Sequence, residues 1–149
     1  MSEQTAGAQF SLQRIYVKDA SFESPQAPES FRTQWKPQIN LELNSRNAAI
    51  EEHLYEVVLN VTVTAKTEEE AVMYLAEVQQ AGLFAVRGLA EEQLAQTLGA
   101  FCPNVLFPYA REALDNLVLK GSFPPLMLAP VNFDAIYAET MKQQKAQTH

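Results

Sequence analysis

Residues that carry chemistry are scarce in this chain. It has a single cysteine, Cys102, and two histidines, His53 and His149. One thiol cannot close an intrachain disulfide, which fits a reducing compartment. No spacing among these three residues makes a zinc ligand set. The five glycines are scattered, so no loop is built to cradle a phosphate. No cofactor is therefore expected. Positive charge is also short: 11 Lys and Arg stand against 18 Asp and Glu, for a net charge of −7 and a pI near 4.8. That balance gives no electrostatic reason to bind nucleic acid or anionic lipid, and it favours cationic partners. No apolar run approaches the ~18–20 residues that span a bilayer. The opening MSEQTAGAQ is polar and lacks the basic region of a secretory signal, so the expected location is the cytoplasm.

What the chain does have is apolar and punctuated by proline. Phe101 to Tyr109 (FCPNVLFPY) and Phe123 to Phe133 (FPPLMLAPVNF) hold five of the eight prolines. Each contains one strongly polar residue, Asn104 or Asn132. Proline fixes φ and removes a backbone donor, so neither block can be an ordinary central strand or mid-helix segment throughout. Packing must order them, in a core, against another subunit, or as an apolar binding surface. A chain of 149 residues fits one domain, 1–149, with 1–8 and about 142–149 as polar tails.

Periodicity places the elements. Phe10 to Phe22 is rich in β-formers and reads as a strand. Glu23 to Pro37, with Pro25, Pro28 and Pro37, reads as a long crossing loop too rich in proline for a helix. Ile39, Leu41 and Leu43 alternate with polar residues in a half-buried strand, and Asn44 to Glu52 is a polar turn or extension. Tyr55 to Lys66 is the clearest strand, with Tyr55, Val57, Leu59, Val61, Val63 and Ala65 on one face. Ala71 to Gln80 makes a fourth, carrying Met73, Leu75 and Glu77 on one face and Val72, Tyr74, Ala76 and Val78 on the other. Short loops join the last three strands as an antiparallel meander. After Gly88 the period changes. Glu91 to Leu98 predicts a short helix ended by Gly99. Pro103 suits the first turn of a second helix, which Pro108 would kink or restart. Leu114, Leu117 and Val118 form its stripe and Gly121 ends it. Asn132 caps a last helix whose face is Phe133, Ile136, Tyr137 and Met141. The fold class is α+β, a four-stranded antiparallel sheet with helices packed on one face.

No catalytic constellation emerges. Cys102 has no neighbouring histidine to act as base and reads as a packed thiol. The acid pairs Glu51–Glu52, Glu68–Glu70 and Glu91–Glu92 fall in turns or at a helix start, where solvation and the helix dipole explain them. The glycosylation sequon Asn60-Val61-Thr62 lies mid-strand in a chain without a secretion signal and is read as chance. Two groups remain. Phe31, Trp35, Ile39, Leu41, Leu43, Tyr137 and Met141 either complete the core or line a groove for extended apolar peptide. Asp19, Glu23 and Glu77 are either an ordinary solvated face or an acidic site.

Five stretches together carry a resemblance: Arg14-Ile15-Tyr16 with Lys18-Asp19; Tyr55-Glu56-Val57-Val58-Leu59; Glu77-Val78-Gln79-Gln80; Cys102-Pro103-Asn104 with Leu106 to Arg111; and Leu128 to Ala135. In this order, from about Phe10 to Tyr137, the sequence resembles the SecB family of bacterial protein-export chaperones. The resemblance implies a four-stranded antiparallel sheet with helices on one side, and a homotetramer built as a dimer of dimers. It implies a holdase that keeps unfolded precursor proteins competent for translocation, passes them to the motor ATPase SecA, and is no enzyme. It implies a SecA-binding patch at Asp19, Glu23, Leu75 and Glu77. It also implies a client groove at Trp35, Ile39, Leu41, Leu43, Leu83 and Tyr137, beside which the residues alone suggest Phe31 and Met141. The tail beyond Glu139 departs from the family pattern, with Lys142 and Lys145 and no acid. The alternative reading is a structural oligomer whose apolar blocks are all subunit interface, with no client.

Overall fold

The computed structural model describes residues 8–147. Four strands form one antiparallel sheet: β1 (Gln9–Glu23), β2 (Gln38–Glu51), β3 (Leu54–Lys66) and β4 (Val72–Arg87), in the order β1-β4-β3-β2. The last three make the expected meander. Because β1 pairs with β4 at the far edge, the chain must cross the sheet between Glu23 and Gln38. The crossing segment is not wholly irregular, contrary to the reading from its prolines. A single 3₁₀ turn, Glu29–Arg32, follows Pro28, where a proline costs least because the first turn needs no donor.

Of the two alternatives for Asn44 to Glu52, turn or extension, the structure takes the extension, and the fourth strand outruns its reading. The β2 edge continues through the polar stretch to Glu51, because β3 offers a ladder partner at nearly every position from Asn44 to Ala49. The fourth strand does not stop at Gln80 but runs to Arg87. The Ala81-Gly82 pair looks like a break in sequence, yet it lies between β1 and β3 with partners on both sides. Gly82 is needed there for space. A Cβ at this position would lie 2.9 Å from the ring of Phe84, 3.1 Å from Leu106 and 3.2 Å from the Arg14 carbonyl.

The helices cover one face only. Helix α1 (Glu91–Gln96), a π turn (Thr97–Phe101) and helix α2 (Cys102–Lys120) follow one another without a break. The break expected at Gly99 is absent, and so is the one at Pro108. Pro103 cannot donate to the Gly99 carbonyl, and just before it the Cys102 N–H reaches back to Thr97, five residues away. The wider turn absorbs the missing donor. Pro108 lies inside α2, exposed, while Leu106, Phe107 and Ala110 around it are buried and hold the helix in place. The stripe of Leu114 and Val118 is fully buried and Leu117 partly so. Together with Val57, Leu59, Val61, Val63, Tyr74, Ala76, Val78, Phe84 and Val86 these residues form the core.

Helix α3 (Phe133–Gln147) starts as expected, with Asn132 Oδ1 accepting from the Ala135 N–H at 3.0 Å. Phe133 is buried against Phe107, with ring centroids 5.8 Å apart, but Ile136 is 43% exposed, so the apolar face is narrower than the periodicity suggests. The helix continues through the stretch assigned to a polar tail, from Lys142 to Gln147.

Two outcomes follow from this packing. Leu114→Ala removes a fully buried side chain from the α2–sheet contact and should cost about 2–5 kcal/mol, read as a lower urea midpoint at fixed protein concentration. Cys102 is fully buried, and burial pushes its thiol up to about 12. The folded protein should therefore resist alkylation at pH 8, where the unfolded protein reacts readily.

Candidate functional site

The two faces of the sheet differ in kind. Residues paired across antiparallel strands share a face. Beneath the helices lie apolar residues. On the other face the register aligns Glu23 with Leu75, Ser21 with Glu77 and Asp19 with Gln79. A register shift at Lys18 puts Tyr16 and Arg14, further back on β1, on this same face. Asp19, Glu23, Leu75 and Glu77 thus occupy adjoining positions on the open face. Glu77 is half-buried and accepts from the Thr62 hydroxyl at 2.9 Å, a cross-strand bond that fixes its carboxylate. Asp19 and Glu23 are exposed.

Beside this patch stands a group that sequence reasoning passed over. Glu56 accepts from Lys18 Nζ at 2.8 Å and from the Tyr16 hydroxyl. The lysine bond, then the tyrosine bond, holds the Glu56 carboxyl below its ordinary value. Burial and the same carboxylate push Tyr16 up to about 12. The signal available in sequence was weak: Tyr16 and Glu56 belong to different strands, and only the register of β1 and β3 on either side of β4 brings them together.

Seven of the eight apolar candidates fall into three places. Trp35 stacks on Tyr74 at 6.3 Å with an interplanar angle of 14° and packs against Phe123 at 5.4 Å. Phe31 meets the same Phe123 at 5.4 Å while remaining 51% exposed. A cavity of about 260 Å³ opens beside Trp35, lined by Thr33 to Pro37, Thr67 to Glu69 and Met73. Ile39, Leu41 and Leu43 lie on the helix-covered face of edge strand β2, opposite Ala65, Val63 and Val61, with Ile39 43% exposed. Tyr137 of α3 lies flat on the π turn, where a Cβ on Gly99 would approach its ring to 2.7 Å, and Met141 follows it one turn on, half-buried. The π turn touches both β2 and α3, so the second and third groups flank one another. Leu83 stands apart. It pairs with Arg14 and Glu56, on the open face, and shares no wall with the other seven.

Phe22, Tyr74 and Phe123 complete the aromatic cluster and were not singled out for it in the sequence. Phe123 was visible only as part of an apolar block, and Tyr74 only as one face of a strand. Tyr74 is fully buried, and its hydroxyl has no hydrogen-bond partner among the described residues. Burial and, secondarily, the Asp115 carboxylate push it up to about 12.

Among the described residues no cluster of three or more His, Cys, Asp or Glu is arranged to hold a metal ion. What the geometry supplies is one apolar side and one charged side, on opposite faces of a single sheet. The family profile described as "Preprotein translocase subunit SecB" matches residues 3–144, nearly the whole chain. The chain belongs to the SecB family. A "Protein-export protein SecB" from Azotobacter vinelandii is 62% identical over 141 residues, covering 94% of this chain and 86% of that protein. One from Stutzerimonas stutzeri is 59% identical over 145 residues, covering 97% and 88%. A Mycobacterium tuberculosis SecB-like chaperone, solved in complex with an antitoxin peptide, superposes with a TM-score of 0.68 at 20% identity, covering 87% of this chain and 94% of that one. The SecB resemblance and the α+β fold with its four-stranded sheet read from the sequence are both borne out.

The Glu56 group gives a pH signature. Because the folded state lowers its pKa, Glu56 contributes stability above the ordinary carboxylate range and loses it as pH falls through the folded value. Glu56→Gln should be less stable than the parent at pH 7, and the gap should close below about pH 4. Urea midpoints at both pH values read the difference. A gap that stays constant with pH would place the effect in packing instead.

Proposed function

We propose that this chain is a protein-export chaperone that binds unfolded precursor proteins, keeps them from aggregating, and delivers them to the SecA motor ATPase from the cytoplasm as a homotetramer. It works by binding and not by catalysis. The observation that carries the reading is membership of the SecB family over nearly the whole chain, joined to the separation of apolar and acidic residues onto opposite faces of the sheet. Exposed apolar side chains beside an unpaired strand edge suit unfolded chains, which offer both apolar side chains and free backbone groups. The client contacts are Phe31, Trp35, Ile39, Leu41, Leu43, Tyr137 and Met141. Leu83, on the open face, joins them only if a client wraps around an edge of the sheet. The motor contacts are Asp19, Glu23 and Glu77, with Leu75 as a small apolar anchor between carboxylates.

Oligomerisation has a physical motive. Phe10, Val17, Phe101, Tyr109 and Leu119 are each 41% or more exposed along β1 and the helix layer. A closed symmetric assembly would cover such surface, and several linked copies raise the effective concentration of weak client contacts.

Native mass measurement at micromolar concentration should give four chains, and a clean monomer would refute the assembly. The purified protein should delay aggregation of an unfolded precursor. Asp19→Ala, Glu23→Ala and Glu77→Lys should each weaken SecA binding at low salt by up to about tenfold, keep the tetramer, and still suppress precursor aggregation. Variants that bind SecA normally, or that lose client and motor together, would overturn the two-surface arrangement.

A further inference from the structure

The open face of the sheet is bipolar, and its basic half has no role in the reading above. Following the register across β1, β4, β3 and β2, one row holds Arg14, Leu83, Glu56 and Ala48, and the next holds Tyr16, Ala81, Val58 and Arg46. Then come Asp19, Gln79, Asn60 and Asn44, followed by Ser21, Glu77, Thr62 and Glu42, and finally Glu23, Leu75, Thr64 and Asn40. Arg14, Lys18 and Arg46 therefore lie at one end around the carboxylate of Glu56, with the exposed Glu51 one row further out on the β2 edge. Lys18 bonds to that carboxylate directly, and Arg46 helps to hold its pKa down. Asp19, Glu23, Glu42 and Glu77 gather at the other. Lys66, one row further on, is drawn aside by Glu70 at 3.7 Å. On the two inner strands uncharged residues separate the poles: Val58 and Ala81, almost fully buried, then Asn60 and Gln79, whose Oε1 accepts from Arg46 at 3.4 Å. At the edges the poles adjoin, since Lys18 precedes Asp19 and the Arg46 row lies next to the Asp19 row.

From the Glu56 row to the Glu77 row the step is six residues along β4, or about 20 Å at ~3.4 Å per residue. The Debye length at physiological salt is about 8 Å, so the Glu56 and Glu77 rows, at the far parts of the two poles, act on a bound segment independently. A purely cationic segment would be drawn to the four carboxylates and repelled where it overran into Arg14, Lys18 and Arg46. A segment carrying acid at that distance would gain at both ends.

We infer that the open face selects a bipolar peptide segment, lying extended along the strands, with Lys or Arg over Asp19, Glu23, Glu42 and Glu77 and an acidic residue about six positions away over Arg14 and Arg46. The inference rests on the proposal that the acidic patch binds a cationic partner segment, and it adds that the basic pole sets that segment's orientation and reach.

The test compares two synthetic peptides of equal length on the full chain. One is a lysine block followed by serines; the other is the same block, a six-serine spacer and two glutamates. At low ionic strength the parent protein should bind the bipolar peptide about fivefold more tightly, and the preference should fade as salt rises. The double variant Arg14→Glu with Arg46→Glu should reverse the order, and Arg14→Glu alone should remove most of the preference should the double variant fold poorly. Glu77→Lys should weaken both peptides. Equal binding of the two peptides by the parent, with both weakened by Glu77→Lys, overturns the bipolar selection and leaves the acidic patch standing. Binding that Glu77→Lys does not change, or no binding of either peptide, overturns both.

Discussion

The structure depends on one packing contact: a single continuous run of helix lies across one face of a four-stranded sheet, with Leu106 of α2 close over Gly82 of β4. Leu106 sits within reach of any Cβ at that position, and Phe84 and the Arg14 carbonyl close the other sides. Without a side chain there, α2 can settle onto β4 and bury Leu106, Leu114 and Val118 against Val57, Leu59 and Val78. The register of that contact decides which alternate residues of every strand are inside. A sheet with only one covered face must then make its other face from residues that tolerate water, and this one does so with charged and amide side chains.

The same constraint explains how two kinds of surface coexist on a small domain. Period-2 alternation sends neighbouring residues to opposite faces, so Leu75 and Glu77 are insulated from Tyr74, Ala76 and Val78 by the thickness of one strand. Apolar contact on the helix side and charge on the open side have different ranges and different salt dependence. A substitution on one need not propagate to the other. That independence is the physical content of a chaperone reading in which client and motor occupy separate faces.

The aromatic cluster around Phe123 joins elements far apart in sequence. Phe22 ends β1, Trp35 closes the crossing segment, Tyr74 begins β4, and Phe123 follows α2. Two side chains of α2 tie down the apolar stretch after Phe123: Asp115 accepts from the Leu126 N–H at 2.9 Å, and Arg111 donates to the Leu128 carbonyl at 3.3 Å. Prolines elsewhere in that stretch lower its demand for backbone partners. An extended apolar segment without sheet or helix pairing is thus held by its ends and by two bonds from one helix face, lying four residues apart.

Sequence by itself determined the number of strands, the meander of the last three, the alternation of β3, the stripe of α2, the Asn132 cap, and the sharing of one strand face by Leu75 and Glu77. These follow from periods and local chemistry that a single chain displays. Only the tertiary structure decided what depends on neighbours. The Ala81-Gly82 pair looks like a stop until β1 and β3 are seen on either side of it. Gly99 and Pro108 look like helix ends until a π turn and buried flanking residues carry the helix past them. Leu83 belongs by composition with the apolar candidates, yet its register with Arg14 and Glu56 sets it on the opposite face. The Tyr16, Lys18 and Glu56 group, and the bipolar charge pattern it begins, exist only across strands whose pairing has no local sequence signature, because register is a relation between distant segments and not a property of either one.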